Sequence, residues 1–509
     1  MKLPSAFEAE MKILLEGDYP LYADSLAHCP ARGLRVNEMK ISVAGFLALR
    51  RKYGLPDPEP VPWVHDGFYV PEGEDAAGSP FYYAGLYYLQ DPSAMTPAEN
   101  LPVCAGDRIL DLCAAPGGKA TELLARLETA ERGSGKTGGI LYANDVSASR
   151  ARALRKNIER MGGTRVFVTA ETPERLALHF PEYFDKILID APCSGEGMFR
   201  TQPAMVKHWE EEGPAYYAGI QETILEEACR MLAPGGMILY STCTYSVIED
   251  EAMVERMLTR HADLAAEPVR WHSGFAHISA GKLMECLGKD RAEEYGLTEA
   301  LLVERYGSLE TALPYVRLYP HRVRGEGQFL ALIRKKGPDG SEASGTVTAE
   351  HAPNVRTPLS DPWEGFQEFT SGGEVHLLPK GHRPSPGLHY LLTGVHKGTE
   401  RADELIPSQS YAMTRSAASW RDVIDLAADD IRAMKYLRGE TLLLTDEEMK
   451  NAPAKEKAGK KKKAAGGVRK ETGKKQELTL VTVDGYPLGF GKRNGPRLKN
   501  GLAPGWRKL

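Results

Sequence analysis

From about residue 105 to residue 245 the chain alternates two kinds of pattern. Short, nearly continuous apolar runs are separated by longer stretches whose apolar positions recur every three or four residues. DRILDLC, GGILYAND, RVFVTA, FDKILID and GGMILYSTC have the length and composition of strands. GKATELLARL, VSASRARALRKNIERM and PAYYAGIQETILEEACRMLA have the periodicity of helices. Strands that are apolar on both faces and alternate with helices predict a parallel sheet covered on both sides. In such a sheet a ligand site lies at the carboxyl ends of the strands.

Outside this region the pattern changes. Residues 1–100 are mixed, with a first helix in FEAEMKILL and an aromatic stretch, FYYAGLYYLQDPSAM. After RLYPHRVRGEGQFLALIRKK, the α/β unit of residues 101–336 gives way to a polar linker at 337–361 (GPDGSEASGTVTAEHAPN). Residues 362–509 form a smaller unit with short strand-like runs, EVHLLP, HYLLTGV, TLLLT and LTLVTVDGYPLGF. Within it, KEKAGKKKKAAGGVRKETGKK, about 451–475, is of low complexity and expected to be disordered in isolation.

Composition narrows the class. At 509 residues, with 42% hydrophobic and 26% charged residues, the chain is long enough for two or three globular units. No apolar run reaches the roughly 18–20 residues that span a bilayer, and the N-terminus lacks a signal-peptide core, so a cytoplasmic protein is expected. Seven cysteines without a CxxC pair fit reduced thiols and give no zinc or other metal site. Net charge is −5, but from Lys450 onward 17 Lys and Arg face 4 Asp and Glu. A basic end on an acidic body points to a nucleic-acid partner.

Two groups of residues carry chemistry. DLCAAPGGKA (111–120) falls where the first strand of the sheet meets its first helix, and Gly117 and Gly118 let a ligand approach the backbone. The loop is not the dinucleotide pattern GxGxxG; with an acid ahead of it, it suits an amino-acid-bearing nucleoside such as S-adenosylmethionine. Asn144-Asp145 ends the next strand, where a carboxylate can hold a ribose diol. GSGKT (133–137) imitates a phosphate loop but follows a helix, and is read as a plain loop.

The second group is a pair of thiols. Asp190 and Cys193 follow one strand in DAPCSG, and Cys243 follows the next in STCTYS. Cys29, Cys104, Cys229 and Cys286 are read as small buried hydrophobes. Thiols at strand ends beside a cofactor loop fit methylation of cytosine C5, a carbon too electron-poor to attack a methyl donor unaided. A thiolate adding at C6 makes C5 nucleophilic, and a carboxyl such as Asp190 assists at N3. The target base must leave any stack to be reached.

These motifs together resemble the Nop/Sun family of RNA 5-methylcytosine methyltransferases over roughly residues 1–335. The resemblance implies a Rossmann-like class I methyltransferase fold with a mostly parallel seven-stranded sheet. It implies Cys243 as nucleophile, Cys193 as promoter of product release, and Lys119 and Asp190 as the catalytic lysine and aspartate. For S-adenosylmethionine it implies Cys113, Ala114, Ala115, Pro116, Gly117, Gly118, Lys119, Asp145 and Asp190, with Glu171 of VTAETPERL nearest to the family's third cofactor acid. RGLRVN, containing Arg35, and GLYYLQDPSAM are similar to the family's N-terminal RNA-binding segment. RLYPHRVRGEGQF resembles its closing motif, with Gln328 where a bulkier residue is usual.

VDGYPLGFGKRNGPRLKN, with IPSQSYAM before it, looks like the PUA-like RNA-binding module of the branch that methylates small-subunit ribosomal RNA. Lys492, Arg493, Arg497 and Lys499 interleave there with Tyr486 and Phe490, as phosphate contacts and base stacking require. The expectation is a monomer acting on small-subunit ribosomal RNA or a 30S particle. A transfer-RNA or DNA cytosine methyltransferase and a non-catalytic ribosome-assembly factor remain as alternatives.

Overall fold

The computed structural model describes residues 2–337, 363, 365–401, 404–451 and 478–508. Most of the expected linker and of the lysine-rich insertion lies outside the described residues.

The apolar runs become the strands of one sheet. Arg108–Asp111 lies at its centre, parallel to Ile140–Asn144 on one side and to Phe184–Asp190 on the other. Val166–Thr169 extends the first side, and Leu232–Thr242 the second. Period-two alternation splits their side chains between two cores. Leu110, Tyr142, Phe167, Ile187 and Ile238 enter one, and Ile109, Leu141, Val168, Leu188 and Leu239 the other. Helices Gly118–Ser134 and Ala148–Met161 cover the second core, and Gly213–Met231 and Glu251–Arg260 the first.

The sheet has nine strands rather than seven. Gln328–Lys335 pairs antiparallel with Leu232–Thr242, with Val316–Leu318 and with Leu264–Glu267. The remaining edge is closed by Tyr390–Thr393, antiparallel to Val166–Thr169. That strand comes from the region beyond residue 362, so this region is not a single appended unit. Phe366–Ser371, Glu374–Pro379, Val395–Arg401 and Glu404–Pro407 form a four-stranded sheet around it. A five-stranded sheet of Val423–Leu426, Leu442–Leu443, Thr479–Val483, Tyr486–Asn494 and Arg497–Asn500 follows. Asp484 and Gly485, at φ 48° and 82°, make the turn that VDGY foreshadows.

The N-terminal segment forms its own three-stranded sheet, Gly33–Val36 between Gly67–Tyr69 and Tyr87–Gln90. Its apolar residues Leu34, Val36, Phe46 and Phe81 share one core with Ile424, Val481, Val483 and Leu488 of the five-stranded sheet. The Tyr53 hydroxyl donates to Asp484 at 2.6 Å across this junction. The N-terminal segment and the C-terminal five-stranded sheet therefore pack on one another.

Two sequence expectations need correction. Cys29 and Cys104 are exposed, not buried; Cys229 alone of that group is fully buried, and Cys286 is half-buried. GSGKT ends helix Gly118–Ser134, with Gly135 at φ 67° as its cap. Residues 133–138 also spell GxGxxG, but a strand follows, so there is no helix N-terminus to hold a phosphate. Among the described residues, no helix is long and apolar enough to cross a membrane.

Candidate active site

The central strand has neighbours on both sides that leave in opposite directions along the chain, which opens a crevice at its carboxyl end. Leu112–Gly118 lines it. Gly117, at φ 114°, sits in the left-handed region as the first residue before helix Gly118–Ser134, and a side chain there would be strained. The loop is tied down from outside. The Ala114 amide donates to Asn144 O at 2.7 Å, Arg150 donates to Ala115 O at 3.0 Å, and Asn157 donates to Pro116 O at 2.8 Å. Cys113 is half-buried behind the loop, and burial pushes its thiol up.

Carboxylates converge on the crevice from successive strand ends. Asp145 is buried; it accepts from the Ser147 amide at 2.9 Å and lies 3.4 Å from Arg150. Asp111 had no role in the sequence reading beyond preceding the glycines, yet it is wholly buried and both its oxygens lack a hydrogen-bond partner among the described residues. Burial first, and then the neighbouring Asp190, push its carboxyl well above the usual range. Glu171 is buried but already engaged: the amide of His389 donates to it and Arg175 pairs with it at 2.8 Å. His389, just ahead of the edge strand Tyr390–Thr393, and Arg175 therefore hold this acid, and no motif marks either.

Lys119 and Asp190 meet at 2.6 Å. Burial opposes the charge on Lys119, but Asp190 and Asp111 outweigh it and hold the ammonium above its ordinary pKa. Asp190 also accepts from Ser241 Oγ at 3.0 Å and from Gln328 Nε2 at 3.4 Å. The register that pairs Asp190 with Ser241 puts the two cysteine loops side by side. Cys193 Sγ and Cys243 Sγ are 3.2 Å apart, and the Cys243 amide points at Cys193 Sγ from 3.3 Å. Cys193 is buried and Cys243 half-buried. Contact with the Cys243 thiol, and then burial, push the Cys193 thiol well up.

The Cys243 loop rests on a polar framework whose contacts the motifs do not reveal. Thr242 Oγ1 donates to Asp250 at 2.6 Å, the Tyr245 amide donates to Glu196 at 2.9 Å, and Arg317 donates to Tyr245 O at 2.9 Å. Gly197 donates its amide to Cys243 O at 2.9 Å, and a Cβ on Gly197 would stand 2.6 Å from the Gly327 backbone.

Two residues expected to touch RNA do structural work. Arg35 is completely buried; it donates to Gly118 O at 2.8 Å and Thr121 Oγ1 at 3.0 Å, and pairs with Glu122 at 3.3 Å. It joins the N-terminal sheet to the start of the cofactor-loop helix. Arg493 is taken by Asp422, at 2.7 Å, and by Glu448 O. Lys492, Arg497 and Lys499 are exposed. Lys492 lies directly across from Lys499, and Arg497 across from Asn494, so the three cations share one face of the last hairpin.

Comparison with known proteins decides the family. Residues 98–334 match the family model described as 16S rRNA methyltransferase RsmB/F. Residues 3–92 match the N-terminal domain of 16S rRNA methyltransferase RsmF, and residues 464–508 the methyltransferase RsmF PUA domain. A ribosomal RNA small subunit methyltransferase F of Klebsiella pneumoniae is 31% identical over 98% of this chain and 95% of its own length. The chain belongs to the methyltransferase F family. Its member from Serratia proteamaculans is 29% identical over the same shares. A solved methyltransferase homolog from Pyrococcus horikoshii matches 65% of this chain and 95% of its own, with 28% identity and a TM-score of 0.51. The fold of the methyltransferase F family, an α/β methyltransferase core with a C-terminal PUA domain, accounts for the layers described above.

Proposed function

We propose that the chain methylates C5 of a cytosine in small-subunit ribosomal RNA, as a monomer, with S-adenosylmethionine as donor. The family supports ribosomal RNA methylation. The observation that carries the cytosine-C5 reading is the thiol pair, 3.2 Å apart beside the Lys119–Asp190 pair. The fit of the donor rests on the unsatisfied Asp111, which an amino-acid ammonium would neutralise, and on the backbone cradle at Gly117 and Gly118. Asp145 would take the ribose hydroxyls, and the engaged Glu171 would bound the adenine side. When bound, the donor supplies the methyl group.

The chain's own residues do the rest. The Cys243 thiol gives up its proton to solvent, and its sulfur forms a bond to cytosine C6 while the C5–C6 π pair moves onto C5. Lys119 and Asp190 share a proton that can meet N3 as the ring gains electron density. After methylation C5 carries one proton too many; its removal restores the double bond and expels the Cys243 sulfur. Cys193, in contact with that sulfur, assists this release.

RNA would be held by the N-terminal segment and the hairpin face of Lys492, Arg497 and Lys499. Lys492→Ala and Lys499→Ala are each expected to weaken RNA binding across sequences and to lower the salt slope of log K by about 0.7–0.9. Arg493→Ala should instead lower the melting temperature, because buried Asp422 loses its partner. Filter binding at graded salt and a thermal melt separate the two outcomes.

The test of the function is transfer from labelled S-adenosylmethionine to purified small-subunit RNA and to 30S particles. Label recovered as 5-methylcytosine is the expected result. Label in transfer RNA alone would move the target, and RNA binding without any transfer would favour an assembly factor.

A further inference from the structure

A buried carboxyl that the reaction does not use joins the two thiol-bearing loops. Glu249 is completely buried. Its Oε2 accepts from the Ser194 amide at 2.9 Å and from Gln221 Nε2 at 2.9 Å. Its Oε1 is bonded by Ser194 Oγ and reached by Thr244 Oγ1 at 3.5 Å. Ser194 follows Cys193, Thr244 follows Cys243, and the two hydroxyls are 2.7 Å apart. Gln221 also donates to Pro192 O at 2.9 Å, just ahead of Cys193. The backbone carbonyl of Glu249 accepts the Tyr240 hydroxyl at 2.7 Å, which fixes the residue to the strand that carries Cys243.

The two loops depend on this carboxyl unequally. The Cys243 loop has anchors of its own in Asp250 and Arg317, and shares the bonds to Glu196 and Gly197 with the segment after Cys193. The two residues directly beside Cys193, Pro192 and Ser194, are bonded by Gln221 and Glu249, whereas Thr244 beside Cys243 meets Glu249 only at 3.5 Å. We infer that Glu249 is a positioning residue that holds Cys193 at its working distance from Cys243. The inference rests on the thiol roles proposed above. Its loss should therefore imitate loss of Cys193 and not loss of Cys243.

Burial, and then Glu196, push the Glu249 carboxyl up to about 8, so at neutral pH it carries a proton. Glutamine presents the same donor and acceptor edges in the same volume. It accepts from the Ser194 amide and Gln221, and donates to the two hydroxyls.

The experiment uses the full chain and small-subunit RNA, and follows SDS-resistant RNA–protein adduct by gel, with a thermal melt as the fold control. Glu249→Ala is expected to accumulate adduct about tenfold above wild type, as Cys193→Ala does, with first-turnover adduct formation within about threefold of wild type. Glu249→Gln should restore release. The inference is overturned if Glu249→Ala releases adduct at the wild-type rate, if formation and release slow together, or if glutamine fails to rescue. Should Glu249→Ala not fold, Gln221→Leu removes the shared anchor, and the same outcomes decide. If Cys193→Ala itself accumulates no adduct, the thiol assignment fails. If it does while both other variants release normally, the positioning role alone fails.

Discussion

Cys243→Ala is expected to lose methyl transfer by on the order of 10⁴-fold or more while still binding RNA, because no other group can form the bond to C6. Cys193 cannot substitute from 3.2 Å away. Its thiol is held protonated by the Cys243 contact and by burial, and it is buried where Cys243 is only half-buried. Cys193→Ala should give the opposite phenotype: bond formation proceeds, release stalls, and turnover falls by about 10²–10⁴-fold with adduct visible on a denaturing gel. The sign with pH follows. A thiol whose pKa is raised gains its reactive anion as pH rises, so adduct resolution by the wild type should quicken from pH 7 to pH 9. Cys193→Ala should lack this dependence. The reverse pair of phenotypes, adduct in Cys243→Ala and none in Cys193→Ala, would hand the nucleophile to Cys193 and restore the DNA-enzyme reading.

The largest stability effect is expected at the buried arginine that opens the closing-motif segment RLYPHRVRGEGQF. Arg317, in Val316–Leu318, is 1% exposed; its guanidinium meets Glu251 at 2.7 Å and Asp250 at 3.1 Å, and holds Tyr245 O. Arg317→Met leaves two buried carboxylates without a cation, a change that costs about 3–5 kcal/mol. The deficit should shrink as pH falls toward 5. Unpaired buried carboxyls have folded pKa values above their unfolded ones, so protonation favours the folded variant at low pH. Urea unfolding at pH 8 and pH 5.5 measures both statements. A loss under 1 kcal/mol at pH 8 would show that the two acids are neutral without Arg317.

How much of this was readable beforehand differs by the range of the interaction. The strands and the thiols were legible because their signals are local: apolar runs ending in DAPCSG and STCTYS fix which residues reach the strand ends. Their side-by-side placement is a pairing, Asp190 with Ser241, and pairings carry no local mark. Arg35 misled for the complementary reason. A cation in an RNA-binding-like segment looks available, and only the fold reveals that Glu122 and the Gly118 carbonyl consume it. Arg493 was misread the same way, because Asp422 is distant in sequence but adjacent in space. Glu249 gave no signal, and Arg317, although it opens RLYPHRVRGEGQF, gave no sign of its burial, since acids and arginines are ordinarily surface residues.

The strand Tyr390–Thr393 also bears on how the protein is made. Until the ribosome has translated those residues, Val166–Thr169 of the nascent chain is an uncovered sheet edge, and Glu171 lacks the amide of His389. A chain stopped near residue 336, where the methyltransferase pattern ends, would keep every catalytic side chain and still carry that raw edge. The large sheet is complete only when translation has passed Thr393, still ahead of the five-stranded sheet that begins at Val423.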